Sequence, residues 1–311
     1  MAHEAKIICD SLSPRDVRLT TFEITFPRIV LAEFNTHRML TRNSASSRAI
    51  PVKRMIEMVM TEPYMPTHWG KNQKGMSADE EVSELEQEKA RSIWRTARDL
   101  AVTSVETLDS IGIHKQITNR LLEPFLWHTV VTTGTEWSNF FHLRDHPAAH
   151  PEIQKIARMM RVLYENSAPK ELEYGEWHLP YIDQETAQHL FDLSAGDIKE
   201  YWATAKKIST ARCAAVSYMR QDGKDIPGQF GIYDKLLTSG HMSPFEHPAT
   251  PIHMPDTPAG KHQRAVANMD RKNNFWAGNF KDWFQHRKEI PFEDDALGAP
   301  SGGHSLWSYD R

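Results

Sequence analysis

Hydrophobic and polar side chains alternate from Phe22 to Phe26. Phe22, Ile24 and Phe26 point one way and Glu23 and Thr25 the other, the period of a half-buried strand. Pro27 cannot donate to a ladder and ends the pattern. A shorter strand is predicted over 5–10, closing at the turn-like SLSPRD, while Ile29 to Phe34 form an apolar run that suits either type. Helical spacing then takes over. A helix is expected over 50–60, with Pro51 at its first position. The longest helix should start from a capping box of Ser77 and Glu80, bury Val82, Leu85, Ile93, Ala97, Leu100, Ala101, Val105 and Leu108, and stop at Gly112. Residues 61–76 read as a loop, and 113–132 as a helix followed by an apolar segment. Residues 166–182 read as a Pro-rich connection whose Trp177, His178 and Tyr181 pack on a neighbour. Ser194 is expected to cap a helix running to about residue 216, with a loop after it at QDGKDIPGQ. Residues 255–274 read as a mobile polar loop and 293–311 as a loosely held tail.

Composition narrows the class. The chain has 311 residues, 40% hydrophobic and 25% charged, as in a soluble globular protein with a sizeable core. A net charge of -4 argues against a general nucleic-acid binder, so any anion site must be local. Two cysteines, Cys9 and Cys213, rule out a disulfide framework and suit a reducing cytoplasm. The first residues lack the apolar core of a signal peptide and no stretch approaches a membrane span, so a cytoplasmic protein without membrane partners is expected.

Candidate chemistry gathers after the apolar run. His37, Arg38, Arg42, Asn43, Ser44, Ser46, Ser47 and Arg48 follow one another with few apolar residues between them. Guanidinium forks, an imidazole and hydroxyls suit a phosphate or another planar anion; a solvated loop carrying three positive charges is the plainer alternative. His142, His146 and His150 are spaced by four, but Pro147 and Pro151 break the helix that would align them, so no metal is expected.

Thr36-His37-Arg38, seven residues and then Ser46 resembles the signature of the flavin-dependent thymidylate synthases, Arg-His-Arg, seven residues, Ser. Thr36 stands where the family has its first Arg. The lead-in of strand and proline, and Arg48 two residues after the Ser, also fit. Asn139-Phe-Phe-His-Leu-Arg144, followed by Ala149, Glu152 and Ile153, resembles a second family motif, with His150 replacing a Gln. His241-Met-Ser243-Pro-Phe-Glu246-His247 is similar to a third; its alternative reading is a buried polar turn. The order differs, since in the family this third motif precedes the Arg-His-Arg strand. Either the chain is permuted or a second half-copy lies at the C-terminus, where Trp283-Phe-Gln-His286-Arg287 again ends in His-Arg.

The resemblance implies an α+β fold, a mostly antiparallel sheet with packed helices. Residues 1–165 would carry the nucleotide- and flavin-binding core, and 166–311 a second half bearing the SPFEH motif in the same globule. It implies C5 methylation of dUMP to dTMP with FAD, and with methylenetetrahydrofolate and NADPH as cosubstrates, by a homotetramer. Thr36, His37, Arg38, Asn139, His241 and Ser243 would contact FAD. Ser46, Ser47, Arg48 and Arg120 would hold the nucleotide, and Arg144 would face the base and favour its N3-ionised form. Glu33 falls where the family has a nucleotide-contacting Gln, and a carboxylate there suits the amine of cytosine. Methylation of dCMP, hydroxymethylation, or a homologue that binds without turnover are therefore the alternatives. A flavin route needs no enzyme thiolate, and neither cysteine sits in an electropositive setting.

Overall fold

The computed structural model describes residues 2–218, 226–291 and 293–294. Its centre is a five-stranded sheet in the order β3-β4-β2-β1-β5. The strands are β1 (Glu4–Leu12), β2 (Arg18–Pro27), β3 (Thr41–Ser44), β4 (Trp127–Gly134) and β5 (Lys170–Glu171). The pairings are antiparallel except the short parallel contact of β5 with β1, so the fold is α+β on a mostly antiparallel sheet. β2 ends at Pro27 as its pattern requires.

The alternation along β2 is real, but neither face is wet. On one face Phe22, Ile24 and Phe26 pack with Phe34, Trp137 and Phe140 and with Ile153, Ile156 and Met160. These come from the helices α1 (Leu31–Asn35), α5 (Ser138–Arg144) and α6 (Pro151–Asn166) and from the turn before α5. Truncating one such phenylalanine would cost about 3–5 kcal/mol. The other face carries paired hydroxyls, Thr21 on Thr133 at 2.7 Å and Thr25 on Thr129 at 3.0 Å, with His178 on Thr21 and Tyr181 on Glu23 from the second half. A strand that looked half-buried is central because those threonines find partners indoors.

A second cluster joins α2 (Val52–Thr61) to α3 (Glu84–Ser110) and to the 3-10 helix Asn119–Phe125 through Met55, Val59, Val102, Val105 and Phe125; the single turn α4 (Lys115–Thr118) lies between. Pro51 is the N-cap of α2, not its first helical residue. The capping box of α3 is Ser83 with Glu86, one repeat of the same Ser-x-x-Glu spacing beyond Ser77 and Glu80: Ser83 N–H donates to Glu86 Oε2 at 3.0 Å. Its far end is as expected, with Gly112 at φ 84° just past the helix. The expected apolar stripe of α3 is split. Val102 and Val105 are buried, whereas Leu85, Ile93 and Leu100 are 68%, 70% and 64% exposed.

In the second half α7 (Gln184–Leu193) was not foreseen, and Ser194 lies at its C-cap; Asp197 caps α8 (Ile198–Ala215) by accepting from Lys199 and Glu200 N–H. The expected loop QDGKDIPGQ lies outside the described residues up to 225, and from Ile226 it is already helix α9 (Ile226–Thr238). The expected polar loop 255–274 contains α10 (Pro258–Val266) and strand β7 (Asn268–Met269). Strand β7 pairs with β8 (Phe275–Ala277), which pairs with β9 (Phe280–Lys281). Separately, β6 (Ala249–Pro251) pairs with β10 (Trp283–Gln285). The expected tail 293–311 lies outside the described residues but for 293–294. Among the described residues no helix is long and apolar enough to cross a membrane.

Candidate nucleotide and cofactor site

Strand β3 lies at the sheet edge, and the one-turn helix Ser243–Glu246 docks on it. Asn43 Nδ2 donates to Ser243 Oγ at 3.2 Å, and Thr41 Oγ1 donates to Glu246 Oε2. His247 bonds to Thr133 on β4 and to Asn43. Motifs two hundred residues apart in sequence thus close on one edge, whatever their order. The His-Arg pair at 286–287 joins the same group, with Arg287 Nη1 donating to Glu246 Oε1 at 2.6 Å.

Two cavities flank β3 and share Arg42. The first, about 400 Å³, is lined by Ser46, Ser47, Arg48, Arg120 and Ser243, together with Arg28, Asn43 and Ser217. Glu123 organises its walls. It accepts from Ser47 Oγ at 2.7 Å and Arg120 Nη1 at 2.7 Å, and pairs with Arg28 Nη2 at 3.0 Å. Burial pushes the Glu123 carboxyl up, but these donors hold it below its ordinary range, so it is an anion there. One carboxylate against four guanidinium groups leaves the cavity strongly positive. Arg48 reaches it exposed, with no ion pair among the described residues.

The second cavity, about 480 Å³, is lined by Arg38, Thr41 and Arg42 on one side and by Asn279, Arg287 and Lys288 on the other. Arg42 Nη1 donates to the carbonyls of Leu40 at 2.9 Å and His37 at 3.2 Å, and Glu246, which lines the same cavity, is the carboxylate whose charge it feels. Gly278 makes room here. Its φ is 68°, and a Cβ would stand 2.2 Å from Gln285 Oε1.

Arg144 crosses from α5 to the turn after α1. Its Nε donates to His37 Nε2 at 2.8 Å, and its Nη2 to Thr36 Oγ1 at 2.9 Å and the Glu33 carbonyl at 3.2 Å. Burial first, then Arg144 and Arg42, lower the His37 pKa to about 4. The Glu33 carboxylate lines neither cavity. Its Oε2 is buried with no hydrogen-bond partner among the described residues. Asn139 is exposed on α5, and His241 Nδ1 bonds to Ser239 Oγ at 2.8 Å; neither lines a cavity.

Arg28, Ser217, Asn279, Arg287 and Lys288 are additions to the residues expected from sequence. Only the repeated His-Arg pair at 286–287 offered a signal for any of them. His146 and His150 have local work: each accepts at Nδ1 from a main-chain N–H two residues on, at 3.1 and 3.2 Å. Burial pushes the Cys9 thiol up to about 11 and the Cys213 thiol well above its ordinary value, so both are protonated at neutral pH.

Comparison with curated proteins gives no match. Among solved structures, the crystal structure of a UMP/dUMP methylase, PolB from Streptomyces cacaoi bound with 5-Br UMP, aligns at 15% identity. The alignment covers 52% of this chain and 88% of that one, with a TM-score of 0.43. The family described as thymidylate synthase complementing protein matches residues 10–170, which include the Thr36–Ser46 and Asn139–Arg144 motifs. The chain therefore belongs to the thymidylate synthase complementing protein family, the flavin-dependent thymidylate synthases.

Proposed function

We propose that the chain methylates C5 of a deoxypyrimidine monophosphate, dUMP to dTMP, with FAD as cofactor and methylenetetrahydrofolate and NADPH as cosubstrates. The observation that carries this is the cavity at β3, where Ser46, Ser47, Arg48, Arg120 and Ser243 converge. Arg48 and Arg120 present forks to the phosphate, and the Ser46 and Ser243 hydroxyls donate beside them, the Ser47 proton being spent on Glu123. Arg120 is held in place by Glu123, while Arg48 is free to close on the ligand.

The neighbouring cavity fits the diphosphate of FAD. Arg38 and Arg42 supply cations that form no ion pair among the described residues, Arg287 and Lys288 add charge shared with Glu246 and Glu293, and Asn279 supplies an amide for a heterocycle edge. Bound there, reduced flavin supplies the electrons for methylation, so the chain needs no thiolate, in keeping with its two protonated cysteines. Arg144 lines neither cavity and spends Nε and Nη2 on the turn of Thr36 and His37, so in this reading it positions that turn beside Arg38 rather than touching the base. Self-association into a tetramer is part of the same reading. Ile93, Leu100 and Ile111 recur along one exposed side of α3, an apolar surface suited to a second copy.

A second reading, dCMP as substrate, rests on Glu33 standing where the family has its nucleotide-contacting Gln, although the carboxylate lines neither cavity. The nucleotide site itself is tested by calorimetric titration with dUMP and with deoxyuridine. dUMP should bind far more tightly, and Arg48→Lys, which keeps charge but loses the fork, should lose about 1–2 kcal/mol of that affinity. Equal affinity for nucleoside and nucleotide would refute the assignment.

A further inference from the structure

A file of side-chain hydrogen bonds crosses the sheet and ends in the Arg48 cavity. Ser11 Oγ bonds to His178 Nδ1 at 2.9 Å, and His178 Nε2 to Thr21 Oγ1 at 2.8 Å. Thr21 bonds to Thr133 at 2.7 Å, and Thr133 to His247 Nδ1 at 2.8 Å. His247 Nε2 bonds to Asn43 Oδ1 at 3.0 Å, and Asn43 Nδ2 to Ser243 Oγ at 3.2 Å. His178, Thr21, Thr133 and His247 are each 0% exposed, so water cannot substitute for a missing neighbour.

Each hydroxyl in the file has one proton and two partners, and each neutral imidazole one donor and one acceptor. Fixing one end therefore fixes every member. Asn43 sets the sense: its Nδ2 donates to Ser243, so its Oδ1 must accept from His247 Nε2–H. His247 Nδ1 then accepts from Thr133, whose oxygen accepts from Thr21. Thr21 accepts from His178 Nε2–H, and His178 Nδ1 accepts from Ser11. The oxygen of Ser243 is already an acceptor, which leaves its proton for the cavity. That sense suits the cavity, because arginines on its walls select ligands rich in acceptor oxygens.

We propose that His247 and Thr133 are positioning residues, which orient Asn43 so that the Ser243 hydroxyl donates to an acceptor oxygen of the bound nucleotide. The proposal rests on the reading of this cavity as the nucleotide site. Burial also holds His247 and His178 neutral, lowering both to about 3, as the file requires, since an imidazolium would put two donors where one acceptor is needed.

Two measurements test it. In protein labelled with ¹⁵N-histidine, long-range proton–nitrogen spectra should show His247 with its proton on Nε2 and Nδ1 bare. A proton on Nδ1 would reverse the file and overturn the proposal, whether or not dUMP binds. Titration with dUMP then compares Thr133→Val, which removes the hydroxyl at nearly constant shape, with Thr133→Ser, which restores it. Thr133→Val should weaken dUMP about tenfold, the worth of one charge-assisted hydrogen bond, and Thr133→Ser should recover it. Ser243→Ala should lose as much, and the double variant no more than Ser243→Ala alone. Additive losses, or equal affinity in both Thr133 variants, would overturn the proposal. Failure of the unaltered protein to bind dUMP would instead refute the cavity's assignment and leave the tautomer result standing.

Discussion

Arg144 donates its Nε–H to Nε2 of His37 at 2.8 Å, across 107 residues of chain. A guanidinium can only donate, so His37 accepts at Nε2 and carries its proton on Nδ1. The same arginine bonds Thr36 Oγ1, the position where family relatives have their first Arg. A hydroxyl there gives Arg144 an acceptor that an arginine could not, so Thr36 and Arg144 work as a pair.

Removing that charge should release His37. In Arg144→Gln the His37 pKa should rise from about 4 yet stay below 6.5, because burial, the larger cause, remains. Titration of the His37 ring by nuclear magnetic resonance reads it directly; an unmoved value would contradict the pairing.

Arg38 lines the second cavity with no ion pair among the described residues, so its loss should leave the fold intact. Arg38→Ala is expected to purify folded and colourless, and to bind added FAD at least tenfold more weakly, about the worth of a charge-assisted contact. Unchanged flavin affinity would move the cofactor elsewhere.

Neither cysteine should matter for turnover. Cys9→Ser with Cys213→Ala should keep methylation within about threefold, since both thiols are held protonated at neutral pH. Loss of turnover with fold and flavin retained would restore a thiolate mechanism.

Stability should fall on acidification. Burial lowers His128, His178 and His247 to about 3 from an ordinary 6.5. Below that ordinary value the unfolded chain binds protons that the folded chain refuses. Stability is thus full above about pH 6.5 and lost progressively as pH falls toward 3, each imidazole adding a slope approaching about 1.4 kcal/mol per unit. Urea unfolding at neutral pH and near about pH 5 should show the loss, and His247→Gln should shallow it. A flat profile would mean these rings are not held neutral.

Local chemistry was legible in the sequence where period and turn residues agree. Phe22 to Pro27 forms a strand where alternation and proline say so, and Gly112 lies just past α3. Ser77 and Ser83 both sit three residues before a glutamate, and only packing chooses between them. Burial of α3 was misread at Ile93 and Leu100, because helical spacing shows which residues share a side, not whether anything covers it. The cavity at β3 was half visible. Ser46, Arg48 and Ser243 carry motifs, but Arg28 and Ser217 join them through contacts that no local pattern encodes. The file through Thr133 and His247 was invisible for the same reason, since it links residues 114 apart.

The central claim is nucleotide methylation, and product mass tests it most directly. The purified chain is incubated with FAD, NADPH, methylenetetrahydrofolate and equal dUMP and dCMP, and the nucleotides are read by mass spectrometry. The account predicts dTMP, formed only when flavin is present. It predicts none from Ser46→Ala with Arg48→Ala, because the phosphate then loses both its hydroxyl and its fork. Methylated dCMP alone would hand the site to the second reading, and Glu33→Gln should then turn it toward dUMP. With flavin bound and both nucleotides unaltered, the account would be contradicted.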